Sequence, residues 1–270
     1  KFFAPHGVFT TIRFAGVISD SSLTNKPSIN YNRFHKAIEN AFSGGNTKAV
    51  ALVINSPGGA PAQCSLIGNH IRELSEEKGI PVYAFVEDVA ASGGYYIACA
   101  GNEIYADENS IVGSIGVIYA SFGFDKLIKK YGIERRIFTT GKYKSILDSF
   151  QKQKLSDIKK LKDIQMEIFK NFKEIVLKSR GKKINKKNKN IFSGSFWAGK
   201  EAIKLGLVDG IGDLKTVMEK KFGEKLRYIP IKPKKSVSFT VRDILSRRRF
   251  LLRITFTPSS SIILFIIISY

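Results

Sequence analysis

The chain predicts an α/β fold built on a parallel sheet. Short apolar runs rich in Val, Ile, Ala and Phe recur along it, most of them are followed by a stretch with helical periodicity, and glycines sit in the turns between. Strands alternating with helices at this spacing imply right-handed crossovers and a sheet with helices on both faces.

Taken in order, residues 8–17 read as a first strand and 32–42 as a helix carrying Phe34, Ile38 and Phe42 on one face. Strand 50–54 passes through Asn55-Ser56-Pro57-Gly58-Gly59 into helix 61–78, whose apolar stripe is Ile67, Ile71 and Leu74. Strand 81–86 leads through Ala91-Ser92-Gly93-Gly94-Tyr95 into helix 94–100. Shorter strands follow at 103–105 and 113–120, then a helix over 125–131 and a strand at 135–139. A long helix at 156–178 keeps Ile158, Leu161, Ile164, Ile168, Phe172 and Ile175 at a period of three to four residues. After a basic loop come helix 199–205, a turn at Gly206 and a helix over 213–221. One domain, 1–231 with its core at about 8–231, is expected, followed by a basic and then apolar tail, 232–270, with no core pattern. No internal repeat is visible.

Composition narrows the function classes. Hydrophobic residues make up 43% and charged residues 25% of 270 residues, so a disordered chain and a polytopic membrane protein are both excluded for most of the length. The formal net charge of +21 raises the question of a nucleic acid or an anionic membrane surface. The densest run, Lys182, Lys183, Lys186, Lys187 and Lys189, is interleaved with asparagines and lacks aromatics for base stacking. A solvated surface is therefore the reading, and no nucleic acid partner is expected.

Cys64 and Cys99 lie in apolar contexts without metal-like spacing and read as free buried thiols. His6, His35 and His70 lie away from the glycine turns, so a Ser-His-Asp triad lacks a base, and no metal or cofactor is expected. The chain opens at Lys1 with no signal peptide in view, as a fragment missing an upstream anchor would. Near the other end the continuous apolar run 262–268 is too short to span a bilayer as a helix.

Ser92 sits where a nucleophile is commonly mounted, at a strand-to-helix turn whose glycines let other backbone approach. A helix N-cap is the plain structural role for such a serine. Gly141-Lys142-Tyr143-Lys144 brings lysines beyond a further strand, and together these segments suggest serine chemistry with a lysine base.

Five segments in one order resemble the signal peptide peptidase SppA and SohB group of serine peptidases, family S49, which share the ClpP/crotonase fold. They are Asn55-Ser56-Pro57-Gly58-Gly59, Ala91-Ser92-Gly93-Gly94-Tyr95-Tyr96, Gly113-Ser114-Ile115-Gly116-Val117, Gly141-Lys142-Tyr143-Lys144-Ser145, and Gly206-Leu207-Val208-Asp209 with Gly212. The resemblance implies that Ser92 is the nucleophile and Lys144, rather than Lys142, the general base. It also implies that Ser114 orients the lysine and that the amides of Gly58, Gly59 and Gly93 form the oxyanion hole. A lysine serves as base only when neutral, so a carboxylate from Asp88 or Asp148 paired to Lys144 would defeat the mechanism.

The implied activity is that of an endopeptidase acting on remnant signal peptides or hydrophobic membrane-protein segments, bound as an added strand. The resemblance further implies a homo-oligomeric ring or dome in which the serine and lysine come from adjacent protomers. A bacterial, membrane-associated location is expected, with the cytoplasm as the second choice. The tail departs from the family pattern; Arg247, Arg248 and Arg249 beside Phe250, Leu251 and Leu252 suggest contact with an anionic membrane surface. Two rival readings share the fold: an inactive membrane-associated scaffold and a crotonase-type acyl-CoA enzyme. The Ser92 and Lys144 pair and the lack of a paired-glutamate signature argue against both.

Overall fold

In a computed structural model of the chain, residues 7–20, 28–185 and 187–234 are described. Strand β1 (Gly7–Ala15) is followed by α1 (Tyr31–Phe42), β2 (Thr47–Ser56), α2 (Pro61–Lys78), β3 (Val82–Ala91) and α3 (Gly93–Ala98). Then come β4 (Glu103–Ala106), β5 (Ile111–Gly113), α4 (Asp125–Lys130), α5 (Leu155–Arg180), β6 (Phe196–Ala198), α6 (Gly199–Lys204), β7 (Gly210–Ile211), α7 (Leu214–Phe222) and β8 (Leu226–Ile231).

The helix ends follow from local chemistry. Asn30 caps α1, its side-chain oxygen accepting from the Arg33 amide at 2.9 Å, and Asp213 caps α7 through the Thr216 amide at 3.0 Å. Pro61 occupies the first turn of α2, where its missing N–H costs nothing, and Gly79 ends that helix in the left-handed region at φ 63.

The sheet runs β6-β5-β3-β2-β1-β8, with β4 beside β3 and β7 beside β4; every pairing is parallel except β5 with β6. Strand β3 is shared lengthwise. Its first half pairs with β4 (Tyr83 to Val86) and its last residues with β5 (Val89 to Ala91). The Ser110 hydroxyl fastens this division by donating to the carbonyls of Val86 and Glu87. Against β2 the register of β3 shifts between Val86 and Ala90, and β3 then continues to Ala91, so the turn at Ser92 hangs directly from the centre of the sheet.

Alternate residues of the central strands face opposite sides. Ile12, Phe14, Leu52, Ile54 and Val86 join the larger core with α1, α2 and α3, where Phe14 and Phe34 stack at 4.7 Å. Phe9, Ala49, Ala51 and Phe85 face α7, packed with Val217 and Met218. That second face is only half covered. Toward the far ends of the strands it carries partly exposed polar pairs, Arg13 with Glu87 at 2.7 Å and Asn55 with Asp88 at 2.6 Å.

Several sequence expectations shift. The strand expected at 113–120 ends at Gly113, since Gly113 (φ 107) and Ser114 (φ 52) both turn into the left-handed region and break the ladder. Residues 135–139 form no strand: they are largely exposed and lie beside no strand. Conversely, β6, β7 and β8 arise in stretches that read as loop or domain end. In the basic loop, the side chains of Asn185 and Asn188 accept the amides of Lys187 and Asn190, so the asparagines serve turns beside exposed lysines. Cys64 and Cys99 are free and buried, and burial pushes both thiols up to about 12. The apolar tail 236–270 and its arginines lie outside the described residues.

Candidate functional site

The site grows from the end of β3. Ser92 adopts φ 50, ψ −119, a conformation that costs a non-glycine residue of the order of 1–3 kcal/mol. Two backbone bonds hold it there: its amide donates to the Gly113 carbonyl at 2.8 Å, and its carbonyl accepts from the Tyr96 amide at 3.0 Å. Although Ser92 stands at the N-cap position of α3, its side chain makes no capping bond. The hydroxyl is therefore left over from the local structure, at a sharp strand-turn-helix corner of the kind that presents a nucleophile.

Parallel pairing of Ala91 with Gly113 brings the next residues of the two strands, Ser92 and Ser114, level with each other just past the ends of β3 and β5. Ser114 is fixed by its amide, which donates to the Ser195 carbonyl at 2.7 Å. Both serines are half-buried and line one cavity of about 1250 Å³.

The glycine turn after β2 forms the facing wall. The Ile18 amide donates to the Gly58 carbonyl at 2.9 Å, and the Ala60 amide donates to the Ile18 carbonyl at 2.8 Å. In this parallel bridge, the N–H and C=O of Gly59 point away from Ile18. A β-carbon at Gly93 would come within 3.2 Å of the Gly59 nitrogen, so the two amides are neighbours. The Gly58 amide instead donates to the buried Ser56 hydroxyl at 3.2 Å. What Gly58 supplies is room, because a β-carbon there would sit 2.7 Å from the Gly93 nitrogen and 2.9 Å from the Ser92 β-carbon. Gly59, at φ 148, has no room either, since a side chain would run into the Ile18 carbonyl.

The opposite wall of the cavity is apolar and comes from α5 and its neighbourhood. Met166, Phe169 and Phe172 line it with Tyr96 and Phe192, and the Tyr96 and Phe172 rings lie 5.5 Å apart. A buried polar knot anchors α5. Arg180, 1% exposed, donates through Nε to the Gly206 carbonyl at 3.1 Å and pairs with Asp209, which also pairs with Lys183 and accepts the Ile104 amide at 2.8 Å. The Tyr95 hydroxyl, on α3, donates to the Leu207 carbonyl at 2.7 Å. The Gly206-Leu207-Val208-Asp209 turn thus ties the helix that follows Ser92 to the helix that walls the cavity.

Lys144 lies elsewhere. It sits on an exposed turn, its amide donating to the Gly141 carbonyl at 3.3 Å, and it is not among the residues lining the cavity. The two acids nearest in sequence are engaged away from it: Asp148 pairs with Arg135 at 3.2 Å and Asp88 accepts from Asn55. The lysine belongs to an arm, residues 115–154, rich in exposed apolar side chains; Ile118 is 88%, Phe122 78% and Phe138 95% exposed.

The structure brings together Ser92, Ser114, Gly58, Gly59 and Gly93 within the chain, and leaves Lys144 apart. The sequence reading missed the Ile18 clamp, Ser56, and the Ser193 and Gly194 rim of the cavity. Ile18 acts only through backbone, which leaves no side-chain signal. Among the described residues no cluster of His, Cys, Asp or Glu is placed to hold a metal ion.

The model of peptidase family S49 matches residues 75–225, more than half of the chain and the stretch that holds Ser92, Ser114 and the α5 wall. The chain belongs to peptidase family S49. Among relatives of this S49 chain, one named putative signal peptide peptidase SppA, from Enterococcus faecium, is 30% identical over 73% of this chain and 58% of its own length. The probable protease SohB of Buchnera aphidicola is 32% identical over 67% of this chain and 54% of its own. A Brucella abortus protein named Na(+)/H(+) antiporter NhaA is 45% identical over 88% of this chain but only 32% of its own length. The chain thus spans between a third and three fifths of these relatives. A mutant of the 1510-N membrane-bound stomatin-specific protease matches in fold, with a TM-score of 0.52 at 17% identity, over 84% of this chain and 99% of that one.

Proposed function

We propose that the protein is a Ser/Lys endopeptidase with Ser92 as nucleophile, Lys144 as general base and Ser114 as the residue that orients the lysine. The observation that carries this reading is the strained Ser92 corner, whose hydroxyl caps nothing and opens into a cavity shared with Ser114, Gly59 and Gly93. Lys144 would take the proton from the Ser92 hydroxyl as its oxygen attacks the scissile carbonyl, and return it to the leaving amine. The developing oxyanion would be held by the amides of Gly93 and Gly59, with Gly58 keeping the space before them open.

The lysine reaches the serine of an adjacent copy in this reading. Two features support a homo-oligomer: the exposure of Lys144 on a turn outside its own cavity, and the apolar arm that carries it, which water would otherwise face. Extended apolar peptides, such as remnant signal peptides or membrane-protein segments, suit the aromatic wall, with the outward N–H and C=O of Gly59 offering strand-like pairing. Such substrates imply work at a membrane. Among the described residues no helix is long and apolar enough to cross one, so attachment would rest on other parts of the protein or on anionic lipid attracted by the basic surface.

The test is cleavage of a fluorogenic hydrophobic peptide from pH 6 to 10. A rate that rises with pH, as a lysine base loses its proton, and that vanishes in Ser92→Ala is expected. Unchanged turnover in Ser92→Ala would overturn the assignment.

A further inference from the structure

A second hollow, of about 330 Å³, adjoins the catalytic cavity, and Lys162 and Gln165 line both. They stand one turn apart on α5 and so share a face of that helix. On the catalytic side the cavity wall is aromatic, aliphatic or neutral polar, and Lys162 is the only charged side chain among the described residues lining it. Beyond it the second hollow lies between α5 and both ends of the arm, bounded by Tyr119, Ser121, Leu147 and Asp157. Lys162 occupies the threshold between the two.

Among the described residues Lys162 has no carboxylate partner within ion-pair distance. Asp157, the acidic group of the second hollow, is five residues and about 7.5 Å of helix rise away, and the Ser156 hydroxyl donates to it. Lys162 is exposed, so its attraction for an anion brought beside it is that of a surface cation, weakened by salt.

We propose that the two hollows form one continuous peptide-binding groove, in which Lys162 binds a carboxylate of the substrate chain. This rests on the endopeptidase reading above: a peptide extending from Ser92 past Val117 and Ile118 passes this threshold on its way into the second hollow. The carboxylate is either an Asp or Glu side chain at a fixed distance from the scissile bond or the free C-terminus of a fragment already cut once. The groove thus reads shape along the aromatic wall and charge at its end.

The experiment uses fluorescein-labelled apolar decapeptides binding to the Ser92→Ala protein. A single Glu, with Gln as its isostere, is walked through each position, and a parallel set compares free-acid with amidated C-termini. At one register Glu, or the free acid, is expected to bind up to about fivefold tighter than its neutral counterpart, as an exposed ion pair of at most about 1 kcal/mol gives. That ratio should fall to near one when Lys162→Gln is added, persist with Lys162→Arg, and shrink in high salt. The position series and the terminus series tell the two sources apart. Absence of any preference, or a preference that survives Lys162→Gln, would overturn the proposal. Wild-type cleavage of the same peptides reports separately: a Lys162-dependent preference without any cleavage would remove the endopeptidase reading and leave the carboxylate site, and cleavage without preference would do the reverse.

Discussion

At the residue scale, the site depends on a few backbone positions more than on side-chain variety. Ser92 is expected to be indispensable: Ser92→Ala should lower kcat at least about a thousandfold in a peptide assay while leaving the melting temperature about unchanged, since the hydroxyl makes no capping bond to lose and alanine keeps the same backbone strain. Gly59→Ala should lower the melting temperature, because a methyl at φ 148 meets the Ile18 carbonyl, and, if its amide serves the proposed oxyanion hole, should lower kcat by about 10²–10³. Gly45→Ala is the control, with open space around it and no left-handed backbone, and should leave both quantities unchanged. Ser92 and the glycine turns were legible in the sequence because small residues between an apolar run and a helix start have few other uses. The different settings of the Gly58 and Gly59 amides were not. They are decided by which way each peptide unit faces, and that follows from Ile18, some forty residues earlier.

At the scale of elements, long-range ties decide what the sequence pattern leaves open. Helices α2, α5 and α7 were readable from periodicity and their end residues, whereas β6, β7 and β8 were not. Those strands have two to six residues each and form only because β5, β4 and β1 already offer an edge. The same cause works in reverse at 135–139, where β-branched and aromatic residues find no edge to join. The knot at Asp209 yields a prediction for this scale. Burial raises the Asp209 carboxyl, but hydrogen bonds from Arg180, Lys183 and the Ile104 amide outweigh it and hold the group below the usual carboxylate range. A depressed folded-state value means that the stabilisation is present above the unfolded value, near pH 4, and is lost as pH falls through the folded one. Urea titrations should therefore show the protein weakening below about pH 4. Asp209→Asn should remove most of that acid dependence and cost about 3–5 kcal/mol at pH 7, since Arg180 would stay buried without its partner. A pH profile identical in Asp209→Asn and wild type would show that the knot is not what acid breaks.

At the scale of the whole molecule, the apolar arm and its lysine are features that a single chain leaves exposed. A side chain such as Phe138, 95% exposed, is expected to be covered in an assembly. Phe138→Glu should shift the protein toward smaller species in light scattering and lower peptidase activity in parallel. If the assembly dissociates while activity persists, Lys144 works within its own protomer. The fold and serine corner were legible because they are local or repeat along the sheet; Lys144 was named only through the family resemblance, because spacing in sequence does not fix where an exposed turn lies relative to the Ser92 cavity.

The most direct measurement is complementation. Ser92→Ala and Lys144→Ala proteins are assayed on a fluorogenic peptide separately, and then after co-expression in equal amounts. Each alone should be silent, and the mixture should recover about a quarter of wild-type activity, the share of contacts that pair an intact serine with an intact lysine when copies mix at random. A mixed assembly as silent as its components would contradict a dyad shared between protomers.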